Sequence, residues 1–347
     1  MEHLSKINKV KFTQITRNLK QEISGFREIN GTAHQVGDVV LAEVVSIGRH
    51  KQLEGTAGHK LRLYPGDLIC GAFGNRYAAD HYEGYVSKSS EPVHLLSNSG
   101  VFGTVTSKNR KMSKPTEIRL LGCALDMDGN KVNTLNHRIN AVPVTSSIKP
   151  LLILSVGTGM NSGKTTAAAT CIHDFVSQGL TVRAGKITGT ANSHDPVEMI
   201  SAGADEPIID FADTGYPSTF LCSQEELIDI YETIYSNLAQ SNPDVIILEI
   251  ADGLLQQETT MLLENNLLRE RVDLLLLSAP DALAAIFGIK YLEDRGYNVN
   301  AVTGLITSSP LNSREFTAVS DIPLVSSGNG VVGGFFKAWN NLEKKAA

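Results

Sequence analysis

The run Gly157-Thr158-Gly159-Met160-Asn161-Ser162-Gly163-Lys164-Thr165-Thr166 follows directly on the apolar stretch from Leu151 to Val156. Small residues let successive backbone N–H groups crowd around one anion, and a helix that starts at the lysine adds its positive end. Lys164 brings a charge suited to β- and γ-phosphate oxygens, and the Thr165 hydroxyl is a ligand type for Mg²⁺. All ten positions, Gly157 through Thr166, are read as the cradle of a nucleoside triphosphate. Lys164 is in addition a candidate for stabilising charge during transfer.

Three further acids and bases sit where such a cradle could use them. Asp244-Val245-Ile246-Ile247-Leu248-Glu249 is an apolar strand ending in a carboxylate, and Glu249 is read as the second Mg²⁺ residue beside Thr165. Asp252 is a candidate second metal contact or general base, or else a turn residue. Lys186 closes the run Thr181–Ile187, and strand carboxyl ends form the ligand rim of open α/β sheets. It is read as a second cation for a transferring phosphoryl group, against the alternative of a solvated strand end. In Asn192-Ser193-His194-Asp195-Pro196 the favoured reading is a helix cap, Asp195 at N-cap and Pro196 at N1, with a site role second. Asp210 and Asp213 fit a Mg²⁺ or amine contact or a polar turn. Gln256, Gln257 and Glu258 open a helix and are candidates to face substrate. Thr307, Ser308 and Asn312 are candidate base contacts. The guanine-reading pattern Asn-Lys-x-Asp is absent from the sequence, so ATP is preferred and GTP kept as the alternative.

The elements that must hold these residues come from periodicity. Leu151–Val156 is a continuous apolar run, as in a parallel strand buried on both faces. Thr165–Ser177 has helical spacing and stops before Gly179. Strands are expected at 181–187, 245–250, 274–277, 301–306 and 323–325, with helices around 223–239, 281–295 and 330–343. Such alternation predicts a doubly wound, mostly parallel α/β sheet over 149–347.

Residues 1–148 read differently. Short β-branched runs at 39–47, 61–64, 68–70 and 118–125 are cut by turn residues such as Pro65-Gly66-Asp67 and Asp126–Asn130. This predicts a smaller β-rich domain, barrel or sandwich, after a polar lead-in. Ser146–Pro150 is the expected link. Arg76, Asp80 and His81 crowd one loop and are candidates for a carboxylate or phosphate. Ser107–Lys114 is a basic run that fits a solvated loop or an anion or partner patch. The domain is assigned substrate or partner binding.

Composition sets the frame. The chain has 347 residues, long for one domain, and a formal net charge of −6 that argues against general nucleic-acid binding. Cys70, Cys123, Cys171 and Cys222 show no zinc-type spacing and fit a reducing compartment. The N-terminus has no apolar leader and no run is long enough to span a bilayer, so a cytoplasmic location is expected.

The loop is a variant of the Walker A pattern: Thr158 stands six residues before Lys164, where glycine is usual, and Gly157 precedes it. Gly-Thr-x-x-x-x-Gly-Lys-Thr resembles the loop of dethiobiotin synthetases. Gly159 occupies the position of the signature lysine of ParA/MinD proteins, so the ParA resemblance is weak. In the dethiobiotin synthetase comparison Lys186 matches a substrate- and phosphate-facing lysine, without its following proline. Glu249 matches a magnesium glutamate, and Asp252 replaces a glycine. Asp195 and Ala202-Gly203-Ala204 are loosely similar to MobB, a molybdopterin-guanine-dinucleotide accessory GTPase. The chain is thus identified as resembling a dethiobiotin synthetase-like and MobB-like P-loop group, in particular its uncharacterised members with an extra N-terminal domain. The resemblance implies an ATP-dependent ligase or phosphotransferase acting on a small carboxylate or amine. The alternatives are a slow NTPase switch of MobB type acting through a partner, or binding without turnover. Relatives pair through this fold, so a homodimer is possible.

Overall fold

The computed structural model describes residues 9–29, 33–87, 92–144, 149–328 and 334–346. Residues 146–148 of the expected link, residues 1–8 and 30 of the polar lead-in, and residues 330–333 of the expected last helix lie outside them. The chain divides into two units. The first comprises Met1–Asn140, Thr190–Ser193 and Phe211–Leu221; the second comprises Ala141–Gly189, His194–Asp210 and Cys222–Ala347.

Among its described residues the first unit carries eleven strands: β1 (Lys11–Phe12), β2 (Gly25–Glu28), β3 (Val39–Ser46), β4 (Gln52–Glu54), β5 (Lys60–Arg62), β6 (Leu68–Phe73), β7 (Arg76–Tyr77), β8 (Tyr82–Tyr85), β9 (Val93–Leu95), β10 (Val101–Lys108) and β11 (Thr116–Leu125). The order β6-β3-β11-β9-β10 closes on itself because β10 also pairs β6, with Val101 opposite Ala72 and Phe102 opposite Phe73. Closure removes the unpaired edges that an open sheet would expose. The alternating apolar residues of β3, Val40, Ala42 and Val44, fill the interior with Leu53, Ile69, Phe73, Leu95, Phe102 and Ile118. Of the barrel and the sandwich expected from the turn spacing, the barrel is the one formed.

Two stretches from later in the chain are built into this unit. Arg17 Nη2 lies 2.5 Å from Asp213 Oδ1, and Thr134 Oγ1 donates to Gly215 O at 2.6 Å. The Phe220 ring packs 5.4 Å from Tyr77 and 5.9 Å from Tyr85.

The second unit is a six-stranded sheet built from β12 (Leu151–Gly157), β13 (Val182–Lys186), β14 (Ile209–Asp210), β15 (Val245–Glu249), β16 (Leu274–Ser278) and β17 (Ala301–Thr303). Its order is β14-β13-β15-β12-β16-β17, and every pairing is parallel. The helices are α1 (Lys164–Val176), α2 (His194–Ser201), α3 (Gln224–Ala239), α4 (Gln257–Leu263), α5 (Asn266–Arg271), α6 (Ala282–Glu293), α7 (Pro310–Thr317) and α8 (Gly334–Ala346).

Strand alternation sorts these helices to two faces. Ile153, Ala184, Ile247 and Leu276 pack with Ile172 and Phe175 of α1 and Phe335 of α8. Asp174 Oδ2 accepts from Phe335 N at 2.8 Å and Phe336 N at 3.1 Å, fixing the start of α8 against α1. On the other face Gly185 leaves room for Ile234 and Leu238 of α3; a Cβ there would come within 3.0 Å and 3.2 Å of them. Ser223 and Glu226 form a reciprocal cap at the start of α3.

The α/β class with a preceding β-rich domain, expected from the sequence, is what the structure shows. Two details differ from the periodicity. Residues 301–306 split into β17 and a 3-10 turn, Leu305–Ser308, because Gly304 has φ 89°. Residues 323–325 contribute only a bridge, Val302 to Leu324. Among the described residues no helix is long and apolar enough to cross a membrane.

Candidate functional site

The ten-residue loop runs from the carboxyl end of β12 into the first turn of α1, the context its chemistry requires. Gly163 has φ 102°, and a Cβ there would meet Gly304 Cα at 2.9 Å, so glycine is needed for both conformation and space. Three backbone hydrogen bonds hold the loop to its neighbours. Thr158 N donates to Ser278 O at 3.0 Å, Leu254 N to Gly157 O at 3.0 Å, and Leu305 N to Ser162 O at 3.0 Å.

Lys164 is 4% exposed, and its ammonium is held by carbonyls. Nζ donates to Gly159 O at 2.8 Å, to Met160 O at 3.3 Å and to Asp252 O. Burial holds its pKa below the ordinary lysine value, partly offset by the Glu249 and Asp252 carboxylates. A buried ammonium whose hydrogen bonds go to carbonyl dipoles attracts an anion that can displace them.

A second group forms where β13 and β15 end. The sheet register sets Lys186 directly opposite Glu249, with Ser155 of β12 opposite Glu249 on the other side. Lys186 Nζ lies 3.1 Å from Glu249 Oε1 and is paired also with Asp195 Oδ2. Burial alone would lower the Lys186 pKa, but the Glu249 and Asp195 carboxylates more than offset it and hold the ammonium charged well above the usual range. Thr165 Oγ1 reaches both acids, donating to Asp195 Oδ1 at 3.2 Å and to Glu249 Oε1 at 3.4 Å. The other Glu249 oxygen, Oε2, is buried and has no hydrogen-bond partner.

Lys164, Thr165, Lys186, Glu249 and the Asp252 backbone therefore lie together. Asp195 joins them, which corrects its reading as a helix cap. It lies inside the first turn of α2, which begins at His194, and both its carboxylate oxygens are used by Thr165 and Lys186. The sequence signal was present, an acid nine residues after Lys186, but local capping logic outranked it. His194 lies at the rim: its side chain is 71% exposed, with Nδ1 3.6 Å from Asp195 Oδ1 and Nε2 3.7 Å from Glu198 Oε1.

The remaining candidates fall elsewhere. Gln256 Nε2 donates to Glu258 Oε2 at 2.5 Å, and Gln256 Oε1 accepts from Asp252 N at 3.4 Å, so this pair braces the Asp252 turn. Asp213 is paired with Arg17 in the first unit, as a structural tie. Thr307 Oγ1 is turned onto Gly304 O at 2.8 Å, and Asn312 N is capped by Ser309 Oγ at 3.4 Å. Ser162 Oγ, Ser278 Oγ and Thr303 Oγ1, three buried hydroxyls around the loop, have no hydrogen-bond partner. Only Ser162 was marked by the sequence.

No protein-family model matches the chain, and no curated protein sequence matches it. Among solved structures it is similar to the signal recognition particle receptor FtsY from Elizabethkingia anophelis, at 19% identity and a TM-score of 0.31, covering 46% of this chain and 52% of that one. The chain thus spans about half the length of that protein. It is similar also to the 54 kDa signal recognition particle protein from Aeropyrum pernix K1 in complex with GDP, at 13% identity and a TM-score of 0.33, covering 58% and 41%. A third likeness is the kinase domain of the Escherichia coli tyrosine kinase ETK, at 17% identity and a TM-score of 0.32, covering 44% and 66%. At these scores the likenesses carry no argument about function.

Proposed function

We propose that the α/β unit binds a nucleoside triphosphate with Mg²⁺, ATP in preference to GTP. One observation carries the reading: the Thr165 hydroxyl is shared by two buried carboxylates at the mouth of a glycine loop whose lysine is held only by carbonyls. The loop from Gly157 to Thr166 and Lys164 would hold the β- and γ-phosphates. Thr165, Glu249 and Asp195 would supply the oxygens for Mg²⁺, and the buried Glu249 Oε2 is the donor that has no other partner. Among the described residues no group of three or more His, Cys, Asp or Glu could hold a metal. That fits Mg²⁺, which commonly takes one or two carboxylates and completes its shell with phosphates and water. The ion, when bound, would neutralise charge on the phosphate oxygens.

Within this reading the protein is an ATP-dependent ligase or phosphotransferase acting on a small carboxylate or amine. A substrate carboxylate oxygen would form a bond to the terminal phosphorus while the bond to the bridging oxygen breaks, and ADP would leave with that electron pair. An amine would then displace phosphate from the acyl phosphate. Lys164 and Lys186 would balance the charge, and Asp252 would take the proton that the amine loses. A second reading, a slow NTPase that acts through a partner, is favoured by the commitment of Lys186 to two carboxylates, which leaves less of its charge for a substrate. Pairing of two chains through the α/β unit belongs to the same proposal. Exposed Leu283 and Phe287 on α6 are its candidate contact, and sedimentation of the full chain with and without Mg-ATP checks it.

Calorimetry of the full chain with Mg-ATP and Mg-GTP tests the binding step, and absence of heat with both sinks the proposal. ADP release across a panel of small amino and carboxylic acids then separates the two readings. Stimulation by one class supports the ligase, and turnover indifferent to every compound supports the switch.

A further inference from the structure

The first unit carries a cavity of about 470 Å³ lined by Arg49, His50, Lys51, Gln52, Arg62, His81 and Asn98. Among the described residues no carboxylate lines it. Among the described residues Arg49, Lys51 and Arg62 make no ion pair, and the Arg62 guanidinium lies over the Tyr64 ring at 5.7 Å. In a chain of net charge −6, three cations gathered without a counter-charge repel one another unless an anion joins them.

The cavity wall is held in place. Arg49 N donates to Lys114 O at 2.9 Å, Thr116 Oγ1 to His50 O at 2.7 Å, and Leu63 N to Lys51 O at 3.0 Å, so the backbone of all three consecutive residues is fixed. Gln52 and Arg62 face each other across β4 and β5. The His50 ring is anchored at both nitrogens, 2.8 Å from Asn98 Oδ1 and 3.0 Å from Leu96 O, and Arg76 donates to the same Leu96 carbonyl from behind. His81 stacks on His50 at 5.9 Å, and its Nδ1 is buried with no hydrogen-bond partner. Arg76 and Arg49 both act on His81 electrostatically, which places them near it, against the pull of Asp80. The sequence marked Arg76 and His81 as anion-binding candidates. The fold keeps His81 at the cavity, puts Arg76 behind its wall, and brings in Arg49, Lys51 and Arg62 from two other segments.

We propose that this cavity binds a small phosphate-bearing anion, of the class of a phosphate ester or diphosphate, through Arg49, Lys51 and Arg62 with His81 completing the donor set. Two guanidinium forks and one ammonium match the several oxygens and the double or triple charge of a phosphoryl group better than a single carboxylate. The proposal is independent of the nucleotide reading of the other unit.

Pyrophosphate is titrated calorimetrically into the full chain carrying Lys164→Ala, so that the glycine loop contributes least. The same titration is run with Arg49→Gln/Arg62→Gln added, and with Lys131→Gln added, because Lys131 lines a different cavity. The expected result is saturable binding weakened about tenfold or more by the arginine pair and unchanged by Lys131→Gln. Pyrophosphate should raise the melting temperature of the parent and not that of the arginine variant. Without ligand, the arginine variant should melt no lower than the parent. Binding unchanged in the arginine variant, citrate bound more tightly than pyrophosphate, or an unliganded melting temperature lowered by the arginine changes would each overturn the proposal.

Discussion

Basic side chains in two regions of this chain meet opposite surroundings. At the ends of β13 and β15, Lys186 is buried between Asp195 and Glu249, and each charge has a partner within the protein. In the barrel unit, Arg49, Lys51 and Arg62 stand around a cavity with no acid among its lining residues. The first arrangement is self-contained, and its energy resides in folding. The second has no acid among its lining residues, so under the proposal above its charge is left for an anionic ligand. The same residue types thus lie in a closed ion cluster in one place and around an acid-free cavity in the other, and the difference is whether the sheet register supplies a carboxylate.

The largest effect is expected of Lys186→Met. It strands two carboxylates in a buried position, and removing one side of a buried ion cluster costs about 3–5 kcal/mol. Urea unfolding should show that loss, and Glu249→Gln in the same chain should recover part of it. Because the Lys186 pKa is raised in the folded state, its contribution is fully present below the ordinary lysine pKa, so the loss should be the same from pH 7 to pH 9. A variant as stable as the parent would show that the cluster holds nothing together.

Lys164→Ala comes next. Under the proposed function it should lower nucleotide turnover by about 10²-fold or more, read as phosphate release, with little change in the urea midpoint. A larger change in stability than in turnover would place Lys164 with the structural cluster.

His50 sharpens the comparison from the other side. Burial, reinforced by Arg76, holds its pKa down at about 3, so the ring is a neutral strut beside the cations. Between the ordinary value near 6.5 and the folded value the unfolded chain binds the extra proton, and stability therefore falls as pH falls. From pH 6.5 to pH 5 the loss should be about 1–2 kcal/mol, and His50→Gln should flatten that slope relative to the parent. Equal slopes in the two proteins would remove His50 from this role.

The smallest expected effect is Arg62→Gln. Its side chain is exposed and lacks an ion pair, so unfolding without ligand should change by no more than about 0.5 kcal/mol. A loss of several kcal/mol would mean that the cavity is a structural feature like the Lys186 cluster.

Local pattern carried much of this molecule. The apolar run before Gly157, the helical spacing after Lys164 and the acid closing 245–249 placed the loop, Lys186 and Glu249 on their elements, because burial on both faces of a parallel strand writes itself into consecutive residues. The β-rich class of the first 140 residues was legible in the same way from alternation and turns. Asp195 was legible only as the second of two readings, because an acid before proline at a helix start satisfies local capping rules whether or not its carboxylate is used elsewhere.

Other features had no sequence form at all. Closure of the barrel through β6 and β10 depends on pairing between distant segments, and the inclusion of Thr190–Ser193 and Phe211–Leu221 in the first unit depends on packing. The cationic cavity joins residues 49–52, 62, 81 and 98, whose separate charges look like solvated surface until the fold gathers them. The sequence by itself determined most strands and helices of the second unit and where a glycine-rich loop joins β12 to α1, since those follow from periodicity and composition within a dozen or so residues. Tertiary structure alone decided which charges meet, because Coulomb energy depends on distance through space and not along the chain.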